Sequence, residues 1–190
     1  MMGEPLNIRP PPPARDTLAR MEEFPPRRAS FCRICFIGDA FTVGAGDETV
    51  LGWVGRLAAG EWARGHDVTC YNLGIRGDFT RAIRARWRRE REARLPAGAR
   101  GRLVVMFGGN DAKEEVGAGI DVPIEESVAN ARAILADAAA WLPTLWISLI
   151  PMSETRGYPR LLAGAPEYRF NNRRQAEYTA LARLQASLER

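Results

Sequence analysis

Histidine and lysine are all but missing from this chain: His66 is the one imidazole and Lys113 the one ammonium side chain among 190 residues. A single histidine rules out an imidazole-rich metal centre and leaves at most one imidazole base. Three cysteines are too few for a disulfide framework. Cys32 and Cys35 form a C-x-x-C, but they fall on a predicted strand, where residues three apart point to opposite faces. With Cys70 on another strand, all three read as apolar thiols, and neither a metal nor another cofactor is expected. Long apolar runs are lacking too. None approaches the roughly 18 residues of a membrane helix, and no basic start followed by an apolar stretch opens the chain. The expectation is a cytoplasmic protein without a membrane span.

The shortage of lysine throws the positive charge onto arginine. A formal net charge of +4 suggests a polyanionic partner, yet the densest basic run, residues 81–94, has Glu90 and Glu92 interleaved and Ile83 and Trp87 four apart. That spacing predicts a helix with one buried stripe and a solvated face, and no nucleic-acid partner is expected.

What the chain does have is 46% apolar residues, enough over this length to bury one core, and no internal repeat divides it. Residues 1–30 are proline-rich, with Pro10, Pro11, Pro12 and Pro13 consecutive, and carry no sustained period, the composition of an N-terminal extension. Residues 31–190 read as one domain. Its apolar runs predict strands over residues 34–38, 68–72, 103–107 and 145–150, separated by helices near 50–64 and 79–94 and by a third after Pro123. In that third helix Ile124, Val128, Ala131, Leu135, Ala138 and Leu142 step by fours and threes, and a last helix carries Tyr178, Leu181, Leu184 and Leu188. Continuous apolar strands between helices specify an α/β three-layer sandwich, a parallel sheet covered on both faces.

In such sheets functional residues gather where strands end at their carboxyl edge. Three glycine-rich clusters occupy three such ends: Gly38-Asp39-Ala40 after the first strand, Asn72-Leu73-Gly74-Ile75-Arg76-Gly77-Asp78 after the second, and Gly108-Gly109-Asn110-Asp111 after the third. They offer a backbone N–H at Ala40, a glycine N–H at Gly77 and a side-chain amide at Asn110, which are the parts of an oxyanion hole.

Taken in this order, the clusters closely resemble the SGNH hydrolases, the GDSL family of lipases and acylhydrolases, over residues 34–190. Gly38-Asp39-Ala40-Phe41-Thr42-Val43-Gly44 matches the family's G-D-S-x-x-x-G block with Ala40 in place of the nucleophilic serine. The second cluster matches the block whose glycine donor would be Gly77, and the third matches G-x-N-D, whose asparagine donor would be Asn110. Asp39 and Asp111 are the supporting acids of those blocks. The resemblance implies a flavodoxin-like sheet in the order 2-1-3-4-5 and an ester hydrolase using serine, histidine and an aspartate three residues before that histidine.

The nucleophile and the D-x-x-H have no counterpart. Ala40 carries no oxygen, and no D-x-x-H occurs in the sequence. His66 precedes the second strand, so about five strand residues at roughly 3.3 Å each put about 17 Å between it and the loops. The family's D-x-x-H follows a fifth strand, whereas this sequence stops at Arg190, and the last strand and closing helix are expected to be absent. The fourth strand is then an exposed sheet edge through which a homo-oligomer could form. The implied function is a GDSL-type ester hydrolase by lineage, without turnover in this chain, acting on a small ester or acylated molecule. The alternative is a binding protein that holds an acyl group, an acetylated carbohydrate or an anion on Ala40, Gly77 and Asn110. The loop over residues 153–168, with Arg156, Tyr158 and Arg160, is the candidate for contacts at the mouth.

Overall fold

The computed structural model describes residues 31–155 and 167–188, with side chains to residue 183. The proline-rich extension and Arg156, Tyr158 and Arg160 lie outside the described residues. Four parallel strands form the main sheet: β1 (Cys32–Gly38), β2 (Val68–Gly74), β3 (Gly101–Met106) and β6 (Thr144–Trp146), in the spatial order β2-β1-β3-β6. This is the strand order expected for the first four strands. Between them run α1 (Ala40–Val43), α2 (Gly52–Ala63), α3 (Thr80–Arg94), α4 (Gly109–Ala112) and α5 (Ile124–Trp141), and α6 (Asn172–Leu188) closes the described chain.

The two sheet faces are covered unequally. Cys35, Ile37, Leu103, Val105 and Phe107 join Ile83 and Trp87 of α3, Ala131, Ile134 and Ala138 of α5, and Tyr178 and Ala182 of α6 in one buried cluster. Phe36 points the other way and meets Trp53 of α2 edge-on, with ring centroids 5.4 Å apart. β3 therefore alternates buried and half-buried residues, where its continuous apolar run predicted burial on both sides. On α5 Val128, Ala131 and Ala138 of the expected stripe are buried together with Ile134, which lies outside it, while Ile124, Leu135 and Leu142 only flank the core. On α6 the buried face is Gln175, Tyr178 and Ala182, and Leu181 is exposed.

The fourth strand is shorter than its apolar run. β6 pairs with β3 over Thr144–Trp146, the Ile147 N–H still reaches the Val105 carbonyl at 2.9 Å, and the chain then leaves the sheet. Side chains of α6 take over as hydrogen-bond partners. Gln175 donates to the Ile150 carbonyl at 3.2 Å, and Asn172 both accepts from the Met152 N–H at 2.9 Å and donates to its carbonyl at 2.7 Å. The cysteines are all free, with Cys35 buried and Cys32 and Cys70 half-buried, and burial pushes the Cys35 thiol up to about 11. No metal-ligand cluster occurs among the described residues.

A second, antiparallel sheet was not legible in the sequence. β4 (Lys113–Glu115) pairs with β5 (Gly119–Ile120) on one side and β7 (Tyr168–Phe170) on the other. Lys113, Glu114 and Glu115 form a charged run without hydrophobic alternation, so nothing in it announces a strand.

Candidate functional site

The site is built where β1, β2 and β3 end, and glycine is what lets their ends close up. Gly38 and Gly74 are register partners. A Cβ on Gly38 would lie 2.0 Å from both the Met106 carbonyl oxygen and Thr42 Oγ1, and one on Gly74 would lie 2.4 Å from the Val43 nitrogen and 2.7 Å from the Asp39 oxygen. With no side chain at either position, the one-turn helix α1 sits directly on the sheet end. Asp39 opens that helix, its Oδ1 accepting from the Phe41 N–H at 3.0 Å, and Gly44 closes it with φ 81°. Ala40 takes the first helical position, so its N–H has no partner within the helix. Its methyl group is buried.

The second loop is tied to the first at several points. Asn72 donates to the Thr42 carbonyl at 3.0 Å, and the Ile75 N–H donates to the Gly38 carbonyl at 3.0 Å. Gly77 then turns the chain with φ 84°, in open space. Arg86 of α3 clamps both loops. It donates to the Gly38 carbonyl at 2.9 Å and the Leu73 carbonyl at 3.0 Å, and forms ion pairs with Asp78 at 2.7 Å and Glu90 at 2.8 Å. In the sequence Arg86 resembles one more solvated arginine; what separates it is its place eight residues after Asp78 and four before Glu90, too weak a signal in an arginine-rich helix.

The third loop brings Asn110 to the second. Asn110 is buried and its Nδ2 donates to the Asp78 carbonyl at 2.9 Å, which places this amide next to the Gly77 turn. Asp111 anchors α4 from beneath. Its Oδ1 accepts from Thr80 Oγ1 at 2.6 Å and Ser127 Oγ at 3.1 Å, and its Oδ2 accepts from the Thr80 N–H at 3.0 Å. Asn130 bonds Thr80 at 3.3 Å and is itself held by Arg84 at 3.0 Å. Thus Asp78 and Asp111 bind opposite sides of one junction, the entry to α3, and fix the second and third loops relative to each other.

Burial sets the electrostatics. It pushes the Asp39 carboxyl from 3.8 up to about 7 against the Phe41 hydrogen bond, with the nearby Asp111 adding to the rise. Burial likewise raises Asp111, opposed by its bonds to Thr80 and Ser127. Asp39 Oδ2 and the Tyr178 hydroxyl are buried without hydrogen-bond partners among the described residues. The Tyr178 ring lies against Gly108, where a Cβ would meet it at 2.6 Å.

His66 is not among these groups. It sits at the amino end of β2, half-exposed, with its Nδ1 2.5 Å from Glu61 Oε2. That is the edge its sequence position predicts, and Ala40, Gly77 and Asn110 follow the strands at the opposite edge. Sequence alone does not mark Lys113, which begins β4 three residues after Asn110 and holds its Nζ 4.0 Å from the Tyr168 ring centroid and 4.9 Å from that of Phe79.

Solved structures share this arrangement of elements. AlinE4, an SGNH-hydrolase family esterase, is 21% identical with a TM-score of 0.52, over 64% of this chain and 61% of that one. The present chain thus spans about three fifths of that protein's length. A lipase/acylhydrolase from Enterococcus faecalis aligns over 83% of this chain and 72% of its own, at 18% identity and a TM-score of 0.59. LAE5, an alpha/beta hydrolase enzyme from the metagenome of Lake Arreo, Spain, gives 20% identity and 0.57, over 82% of this chain and 72% of its own. At these identities the likeness speaks for the fold. No curated protein matches the sequence closely enough to count as a relative. Residues 36–189, nearly all of the described domain, match the GDSL-like Lipase/Acylhydrolase family model, and the chain belongs to that family.

Proposed function

We propose that this chain is a GDSL-type ester hydrolase by lineage that keeps the acyl-oxygen-binding half of the site and has lost the half that attacks. The observation that carries the reading is the buried Asn110 amide, held by the Asp78 carbonyl beside Gly77, at the same end of the sheet as Ala40, whose side chain is a methyl group. In acyl transfer a hydroxyl attacks the carbonyl carbon, a base removes its proton, and preorganised N–H donors take up the charge that develops on oxygen. The N–H groups of Ala40 and Gly77 and the amide of Asn110 supply the last of these functions. The first two have no supplier at the positions expected for them: Ala40 has no oxygen, and His66 is paired with Glu61 at the far sheet edge.

The reading expects no turnover of p-nitrophenyl acetate by the chain, and clear serine-type turnover would contradict it. Ala40→Ser alone is expected to stay at background, because an unassisted hydroxyl remains protonated; substantial esterase activity in that variant would reveal another group acting as base.

A second reading is a binding protein that uses the same donors to hold an acyl, acetylated-carbohydrate or anionic ligand. It is favoured by the network around Asp111, which continues to position Asn110 although Ala40 cannot react. Asn110→Ala is then expected to weaken binding of a small ester by about tenfold or more while leaving the domain folded, as followed by ligand-observed NMR together with circular dichroism. A variant that binds as tightly as the parent would remove this reading.

A further inference from the structure

The chain's only lysine stands close to these donors in sequence, without an ion-pair or hydrogen-bond partner among the described residues. Lys113 is 9% exposed. Its ammonium faces two aromatic rings, Tyr168 at 4.0 Å and Phe79 at 4.9 Å, and makes no ion pair or hydrogen bond with any described residue. Faces of aromatic rings attract a cation and fix its position, but they do not neutralise it. A charge withdrawn this far from water ordinarily has a hydrogen-bonded counter-ion. The acids around it are engaged elsewhere or stand off: Asp111 is taken up by Thr80 and Ser127, and Asp39 caps α1. Asp121 and Glu115 act on Lys113 only through space.

The position of this charge is tied to the site by covalent neighbours. Phe79, one wall of the cage, follows Asp78, whose carbonyl holds Asn110 and whose preceding residue is Gly77. Lys113 itself follows Asn110 by three residues, at the start of β4. Tyr168, the other wall, belongs to β7 and is the register partner of Glu115, so the small antiparallel sheet exists at the place where it holds this ring over the ammonium.

We infer that Lys113, caged by Phe79 and Tyr168, is an anion subsite beside the acyl-oxygen donors, and that the ligand of this site carries a carboxylate next to its acyl or ester group. The inference rests on the proposed acyl-binding reading and adds the substrate class to it. A single negative charge is specified by the surroundings. One compact ammonium is free to meet it, whereas the neighbouring cation, Arg81, is committed to the Asp121 carbonyl and to Glu126.

The test compares monomethyl succinate with methyl butyrate, its neutral near-isostere, by titration calorimetry or ligand-observed NMR at low salt. The parent chain is expected to bind the anion about tenfold more tightly than the neutral ester, because a site built for a charged group leaves that group unpaired when the ligand lacks its partner. Lys113→Met should abolish the preference and Lys113→Arg should restore most of it. If Lys113→Met does not fold, Tyr168→Leu gives the same information: it should lower the preference for the anion several-fold. Equal affinity for the two esters, with both weakened by Asn110→Ala, would overturn this inference and leave the acyl-binding reading standing. Retention of the preference in Lys113→Met would also overturn it. Failure of the parent chain to bind either ester at millimolar concentration would overturn both.

Discussion

Asp39 shows how one buried carboxyl makes the site pH-dependent. Its carboxyl, at about 7 in the folded chain, lies above its ordinary value of 3.8, so the folded state holds its proton more tightly than the unfolded state does. Below about pH 4 both states are protonated and the group contributes no pH dependence. Between about 4 and 7 the unfolded chain releases the proton first, and stability falls as pH rises, by up to about 4 kcal/mol once the window is crossed. Asp39→Asn keeps an oxygen to cap Phe41 and removes the titration. It is expected to match the parent near pH 4 and to exceed it in stability at pH 8, measured by urea denaturation at both values. Arg86 is the other residue that acts beyond its own place. Replacing it with alanine strips two loop carbonyls and two carboxylates of a half-buried partner, an expected loss of about 2–4 kcal/mol that lysine should only partly recover. The sequence displayed Gly77 and Asn110, the proposed donors, because three glycine-rich blocks follow three strands in order, although glycine and asparagine are each common in turns. It hid Arg86 and Lys113, whose roles depend on which distant atoms the fold brings to them.

At the scale of elements, the clearest strain lies in the turn that enters α2. Val50 is 87% exposed and has φ 60°, a conformation that a β-branched side chain resists. Asp47 holds this turn by accepting from the Thr49 N–H at 3.2 Å and the Gly52 N–H at 2.7 Å. Val50→Gly is therefore expected to stabilise the domain by about 1 kcal/mol, seen as a higher denaturation midpoint with unchanged slope. Ile134→Ala in α5 should act oppositely, costing about 2–5 kcal/mol through the cavity it leaves beneath the sheet. The period of α5 was plain in the sequence, but the stripe is rotated from the one its leucines marked. Ser127 and Asn130 occupy buried positions on that helix because they serve the Thr80 and Asp111 network, and polar residues in a stripe look like its boundary. The short β6 has a similar origin, since the side chains of Asn172 and Gln175 capture a segment whose composition is that of a strand.

For the molecule as a whole, the parallel sheet and the meeting of three loops followed from alternation of strand and helix, whereas the strand order was legible only through the family resemblance. The positive net charge has less consequence than its size suggests. Arg56, Arg64, Arg86 and Arg88 are each paired with a carboxylate, and Arg91 lies 3.8 Å from the centroid of the Trp141 ring. A double-stranded DNA titration followed by anisotropy should show only weak binding, without the steep salt dependence of a phosphate-binding surface. The aromatic cage has one more consequence, which concerns measurement. Because Lys113 is the only lysine, reductive methylation with isotope-labelled formaldehyde would install a single side-chain label while preserving the positive charge. Its methyl signal, shifted by the two flanking rings, would make the chain its own spectroscopic reporter, moving as a ligand enters and giving a direct readout of occupancy that needs no turnover.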